Sequence, residues 1–240
     1  MNGLEYRTGT IRPIECAKEG FERIKSDYWL LFAISLLGAL IGGITLYILL
    51  GAMICGIYFA FLNKIDGKRV QLDDLWKGFQ HLGPGLIVTV AIVVPMIAIY
   101  LLIYAPVLVA MIAGPNMSPE ELTALLVGAL AVDFIFIIAM VCFHTLLMFS
   151  FPLIVDRGLG GFAAMKTSIR AVWANLGGVA GLMGVNMVLS LIGMLTCGLG
   201  IYFLIPIMMA ANAMAYRQVF PSMEPTASDM PPPPNIYKDF

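Results

Sequence analysis

Long uninterrupted apolar runs dominate this chain, and every Lys and Arg lies outside them. The runs cover residues 29–62, 84–113, 119–152, 176–195 and 199–214. A hydrocarbon core of about 30 Å asks for about 20 apolar residues per helical crossing, so these runs are membrane helices. A membrane barrel would instead alternate polar and apolar positions. The expected fold class is therefore an all-α polytopic membrane protein. With 60% of its 240 residues hydrophobic, 12% charged and a mean hydropathy of +0.90, a soluble globule is excluded. A net charge of -1 and a pI near 6.1 give no reason to expect nucleic acid as a partner.

Residues 1–12 read as a loose leader with no cleavable signal, because the polar stretch before the first apolar run is too long and of mixed charge. From Pro13 to Tyr28, Ile14, Ala17, Phe21, Ile24 and Tyr28 share one narrow helical face, with Glu15, Lys18, Glu19, Glu22 and Arg23 around it. Such a helix either lies in the membrane surface or packs on the protein's own cytosolic loops. Trp29–Leu62 is too short for two full crossings and a turn, so its halves are two short helices or a hairpin re-entering by one face. Gly38, Gly42, Gly51, Ala52, Cys55, Gly56 and Ala60 permit close helix contact there. A second amphipathic element follows, with Leu72, Leu75, Trp76, Phe79 and Leu82 on one face and Asp73 or Asp74 as its cap.

The third span is 84–113, kinked at Pro95 and Pro106, with Gly114-Pro115-Asn116 as the turn into the fourth. Ser118-Pro119-Glu120-Glu121 combines a serine cap, proline at the first helical position and a capping-box glutamate, so a helix starts there. Phe151-Pro152 marks its exit, leaving Asp156 and Arg157 in water. A third amphipathic segment puts Phe162, Met165, Ile169, Val172 and Trp173 on one side and Thr167 and Ser168 away from it. The fifth and sixth spans meet at Thr196-Cys197-Gly198, with a kink at Pro206. Residues 221–240, with Pro231 to Pro234 in a row, read as a disordered cytoplasmic tail able to meet other membrane or cytoplasmic proteins.

The expectation is about six transmembrane helices, the first pair short or re-entrant, in a single domain over 13–220. Units at about 13–62, 70–152 and 160–216 each pair an amphipathic helix with an apolar hairpin, which suggests a threefold internal repeat. Trp29, Trp76 and Trp173 fall in or beside the amphipathic elements, as interfacial anchors do. All fourteen Lys and Arg sit before Trp29, in 63–83, in 152–171 or after Met214. The positive-inside rule therefore puts both termini and the longer connections in the cytoplasm, and the expected location is a bacterial inner membrane.

Four polar side chains inside the spans are the candidate sites. Asp133 falls near mid-bilayer, where an acid costs about 2.5–3.5 kcal/mol, so it faces the bundle. It is either a proton or cation site or an acid that joins helices by hydrogen bonds, with Asn186, Asn212 or Thr89 as partners. His144 shares its helical face and lies nearer the cytoplasmic interface, as an interfacial histidine or a relay. Asn186 and Asn212 suit a bridge between the fifth and sixth spans. Cys16, Cys55, Cys142 and Cys197 lack the spacing of a disulfide or zinc framework, and the two histidines form no His-Glu-x-x-His. No Gly-x-Ser-x-Gly, Walker loop or dinucleotide fingerprint occurs. Ser150 and Asp156 lie near His144 in sequence, a poor warrant for a triad. No catalytic residues, metal or cofactor are expected.

Asp73-Asp74-Leu75-Trp76-Lys77-Gly78-Phe79 leading into Gly83-Pro84-Gly85, with the closing Ala215-Tyr216-Arg217-Gln218-Val219-Phe220, resemble bacterial integral-membrane proteins of unknown function. That group is similar to the membrane domain ahead of some glycerophosphodiester phosphodiesterases. The resemblance covers most of 13–220 and transfers no functional residue; the 240 residues hold no soluble phosphodiesterase domain, so that activity is not expected here. Two functions remain open: a non-enzymatic accessory, scaffold or lipid- and partner-interacting module, and a small-solute or ion transporter or channel using Asp133.

Overall fold

This computed structural model describes residues 6–112, 118–196 and 198–222, and among them the protein is all helical, with no strand. Its helices are α1 (Pro13–Ile24), α2 (Tyr28–Ile44), α3 (Leu50–Ile65), α4 (Leu82–Ile112), α5 (Pro119–Leu146), α6 (Ser150–Arg157), α7 (Gly161–Ala174), α8 (Leu176–Met194) and α9 (Leu199–Val219). Two 3₁₀ segments, Lys25–Asp27 and Leu72–His81, lead into α2 and α4. Five stretches, Pro13–Ile44, Leu72–Ala110, Pro119–Arg157, Leu176–Met194 and Leu199–Val219, are long and apolar enough to cross a membrane, and α3 is a shorter apolar helix. The protein is thus a multi-pass membrane protein. The turn at Gly114-Pro115-Asn116, Cys197 and the tail from Met223 onwards fall outside the described residues.

α2 and α3, of 17 and 16 residues, each extend about 25 Å, short of a hydrocarbon core of about 30 Å. The turn between them carries Leu46 and Tyr47 at φ of 49° and 67°. Left-handed backbone costs a residue with a Cβ about 1–2 kcal/mol. Here Leu46 N–H donates to Gly43 O at 3.1 Å and Tyr47 N–H to Gly42 O at 3.0 Å, so the turn satisfies its own backbone. Its tip is apolar, with Ile44, Leu46 and Ile48 exposed.

The buried core lies where α1, α3, the 72–81 segment, α6, α7 and the end of α9 meet. The hairpin of α4 and α5 leans out from it: of the 28 residues of α5 only Phe136 is buried, and Leu101, Leu102, Leu108, Phe134 and Ile135 are exposed. Lipid is as apolar as leucine, so such a surface needs no protein cover.

The amphipathic elements present the faces expected of them outward, and pack on the protein through a second face. α1 leaves Ile14 and Phe21 exposed, while Cys16, Gly20 and Ile24 are buried, with Gly20 against the backbone of Ala210 and Ala211 in α9. Ile24, placed on the outward face from sequence, belongs to this buried one. In the 72–81 segment three residues complete a turn, so Leu75, placed from sequence on the face of Trp76 and Phe79, lines up instead with Gly78 toward α3, while Trp76, Phe79 and Leu82 line up outward, exposed. Its cap is Gln71, not Asp73 or Asp74: Gln71 N–H donates to the Asp74 carboxylate at 2.9 Å, completing a capping box. In α7, Phe162 and Trp173 are exposed and Gly161, Ala164, Ser168, Ala171 and Val172 are buried, so Val172, expected beside Phe162 and Trp173, lies instead on the buried side with Ser168. Trp29, Trp76 and Trp173 are all exposed.

Backbone contact requires glycine at two of these joints. A Cβ on Gly56 would stand 2.0 Å from Leu75 O, and one on Gly78 would stand 2.0 Å from Ala52 O. The small positions of α3 thus serve its contacts with the 72–81 segment, and Gly51 likewise lets Gly85 of α4 approach.

An ionic cluster locks the core at its polar edge. Arg217, near the end of α9, is 11% exposed; its guanidinium donates to both oxygens of Asp66 at 3.0 and 2.7 Å and pairs with Asp156 at 2.8 Å. Tyr216 donates its hydroxyl to Asp156 at 2.7 Å, and Arg157 Nε donates to the same carboxylate at 2.8 Å. Asp156 and Arg157, expected in water, are therefore mostly buried, at 14% and 9% exposure. Across the face of α3, Lys64 pairs with Asp27 and Arg23 donates to Ile65 O at 2.6 Å, placing a cation on a helix C-terminus. The leader is not loose from Tyr6 onward: Arg7 N–H donates to Val219 O at 2.9 Å, and Arg12 N–H to the Gln218 side chain at 3.0 Å.

Removing one partner of a buried ion pair strands the other charges, at a cost of about 3–5 kcal/mol. Arg217→Met should therefore lower the stability of the detergent-purified protein by about that much in thermal unfolding, and adding Asp66→Asn and Asp156→Asn should recover part of the loss.

Candidate functional site

A cleft of about 520 Å³ opens between α4, α5, α8 and α9, within the range of small-molecule sites. It exists because α5 packs on α4 and on α7 but leans away from the α8–α9 pair. Met96, Met140, Met148, Met183 and Met208 supply much of its wall, unbranched thioether side chains that adapt to irregular shapes. Tyr100 and Phe136, also in its wall, meet edge to face at 5.8 Å.

The polar groups of the cleft come from three helices. Asn186 of α8 donates its amide N–H to the side-chain oxygen of Asn212 in α9 at 3.0 Å, the bridge expected of these residues. The remaining oxygen of Asn186 is buried without a partner. His144 of α5 faces the same space. Beside it, Thr145 donates to Val141 O at 2.7 Å and its hydroxyl lies 3.1 Å from the Met183 sulfur. No charged side chain lines the cleft.

Asp133 stands outside this group. Its partner is Tyr104 of α4, which donates its hydroxyl to one carboxylate oxygen at 3.3 Å; the other oxygen is buried and unpaired. Asn186 and Asn212, expected as partners, bond to each other instead, and Thr89 donates to Gly85 O at 3.0 Å within α4. Tyr104 stacks on Tyr100 of the cleft wall at 5.8 Å, so the acid is one side chain removed from the cleft. Asp133 and His144, expected on one face of α5, have different surroundings, Asp133 bonding to α4 and His144 lining the cleft.

A break follows α5 just past His144. The α5–α6 helix is interrupted at Leu147–Phe149, before the expected Phe151-Pro152, and the interruption frees Leu146 O and Phe149 N–H. The Ser168 hydroxyl serves both, donating to Leu146 O at 2.8 Å and accepting from Phe149 N–H at 3.1 Å. Asp156, beyond the break, belongs to the ionic cluster and its notch lined by Asp66 and Arg217, so His144 and Asp156 face different cavities. Neither Ser168 nor Tyr104 stands out in the sequence: one hydroxyl in a helix and one tyrosine in a span are ordinary, and their roles come from contacts across helices.

Among the described residues, no group of three or more His, Cys, Asp or Glu is arranged to hold a metal ion. No family model, curated protein or solved structure matches this chain.

With one oxygen unpaired in an apolar setting, Asp133 costs more as a charged group than an amide of the same shape would. Asp133→Asn should leave the melting temperature in detergent unchanged or raised. Tyr104→Phe, which removes a membrane hydrogen bond averaging about 0.6 kcal/mol, should lower it only slightly.

Proposed function

We propose that this chain is a non-enzymatic membrane module, an accessory or organising subunit that engages lipid through its apolar hairpins and its cleft. The observation carrying this reading is the division of polar chemistry: Arg217, Asp66, Asp156 and Arg157 are spent on one another in the ionic cluster, while the cleft is lined by no Asp, Glu, Lys or Arg and presents two amides, the hydroxyls of Tyr100 and Thr145 and an imidazole. A site of that kind binds without supplying an acid–base pair. The finer topology belongs to the same proposal. Both termini and the longer connections are cytoplasmic, and about six helices enter a bacterial inner membrane, the first pair short. Three units of an amphipathic element and an apolar hairpin succeed one another. The likeness to the membrane domain ahead of some phosphodiesterases has the same footing.

One observation favours a second reading, a small transporter or channel: the unpaired oxygen of Asp133 could take a proton or a cation. Solute or ion flux into liposomes carrying the native protein or Asp133→Asn separates the two. The module predicts flux no greater than empty liposomes for both proteins, and roughly one lipid per chain retained through purification. Uptake that appears with the native protein and vanishes in Asp133→Asn overturns it.

A further inference from the structure

We propose that the cleft between α4, α5, α8 and α9 is a site for one uncharged amphiphile with a hydroxyl or carbonyl head, of the diacylglycerol or prenol type. This deepens, and rests on, the reading of the chain as a lipid-engaging module. Three features define the ligand. Walls rich in methionine, such as Met140, Met183 and Met208, accept a flexible hydrocarbon body without demanding one shape. At the polar corner, Asn186, Asn212 and His144 offer hydrogen bonds, and the mutual bond of the two amides leaves the buried oxygen of Asn186 unpaired. A head that both donates and accepts matches this corner, whichever way the amides are turned. Finally, no Lys or Arg lines the cleft, so a phosphate head drawn into it would be a desolvated charge without a partner. The surrounding bilayer supplies anionic and zwitterionic lipids in abundance, and the chemistry of the cleft selects against both.

The test uses the full chain in phosphatidylcholine nanodiscs with two photoactivatable probes carrying the same diazirine-bearing acyl chain. One probe is a diacylglycerol and the other a phosphatidylglycerol. At equal mole fraction, the diacylglycerol should label peptides containing Met140, Met183 or Met208 about tenfold more than the phosphatidylglycerol does, and unlabelled diacylglycerol should compete. Met183→Trp, which fills the cleft, should reduce this labelling at least tenfold, whereas the volume-conserving Met183→Leu should keep it. Replacing Asn186 and Asn212 together by Leu should weaken labelling several-fold. Equal labelling by both probes overturns the proposed head-group selection while leaving a lipid-engaging module standing. Labelling that excess diacylglycerol fails to displace, or that survives Met183→Trp, overturns the site itself. Absence of cleft labelling by either probe removes the lipid role of the cleft as well.

Discussion

One guanidinium holds the polar edge of this protein together. Arg217 joins the end of α9 to the end of α3 through Asp66 and to α6 through Asp156. Its planar fork can bond both oxygens of Asp66 while a third nitrogen serves Asp156, a geometry that a lysine ammonium lacks. Burying these charges is expensive, and their mutual attraction offsets the cost with the help of two further donors to Asp156, Tyr216 and Arg157. The benefit is register. Apolar helices in lipid gain nothing from burying leucine against leucine, so their mutual placement must come from close packing and polar contacts. Here both are concentrated at one end, in the ionic cluster and in the backbone contact of Gly56 with Leu75. The hairpins extend from that base.

The cleft is a consequence of the same arrangement. Near the base, α4, α6 and α7 are drawn together, with Gly161 packed against Pro84 and Ile87. Above it, α5 follows α4 outward and the α8–α9 pair goes its own way. α5 is interrupted at Leu147–Phe149 where it meets this base, and Ser168 makes that break tolerable by serving the two freed backbone groups. Methionines fill the divergence incompletely.

The spans, the cap at Ser118 and the all-α class were legible because hydropathy and capping are local properties. The buried sides of the amphipathic elements were harder, for a physical reason. In water the large apolar residues of a helix face the protein, whereas beside lipid Ile14, Phe21, Phe162 and Trp173 can face the solvent, and small residues mark the packed side. The series Gly161, Ala164, Ser168 and Ala171, and the pair Cys16 and Gly20, carry that signal at helical spacing. In the candidate site, the amide bridge of Asn186 and Asn212 was readable, since polar residues on neighbouring spans seek each other. The pairing of Asp133 with Tyr104 was not, because it depends on which face of α4 turns toward α5. Asn175 was equally silent, although it is buried and its amide donates to Arg7 O at 3.0 Å and to Ala171 O at 2.9 Å.

The bonds from the leader to Gln218 and Val219 join positions more than two hundred residues apart. A growing chain emerges from its amino end, so Arg7 and Arg12 exist long before their partners do. Until α9 has been made and inserted, α1 and the segment before it lack both these bonds and the bed on Ala210 and Ala211. The assembly of these segments therefore cannot be completed helix by helix as synthesis proceeds; residues 7–24 wait for α9, and the two close on each other like the tongue and buckle of a belt.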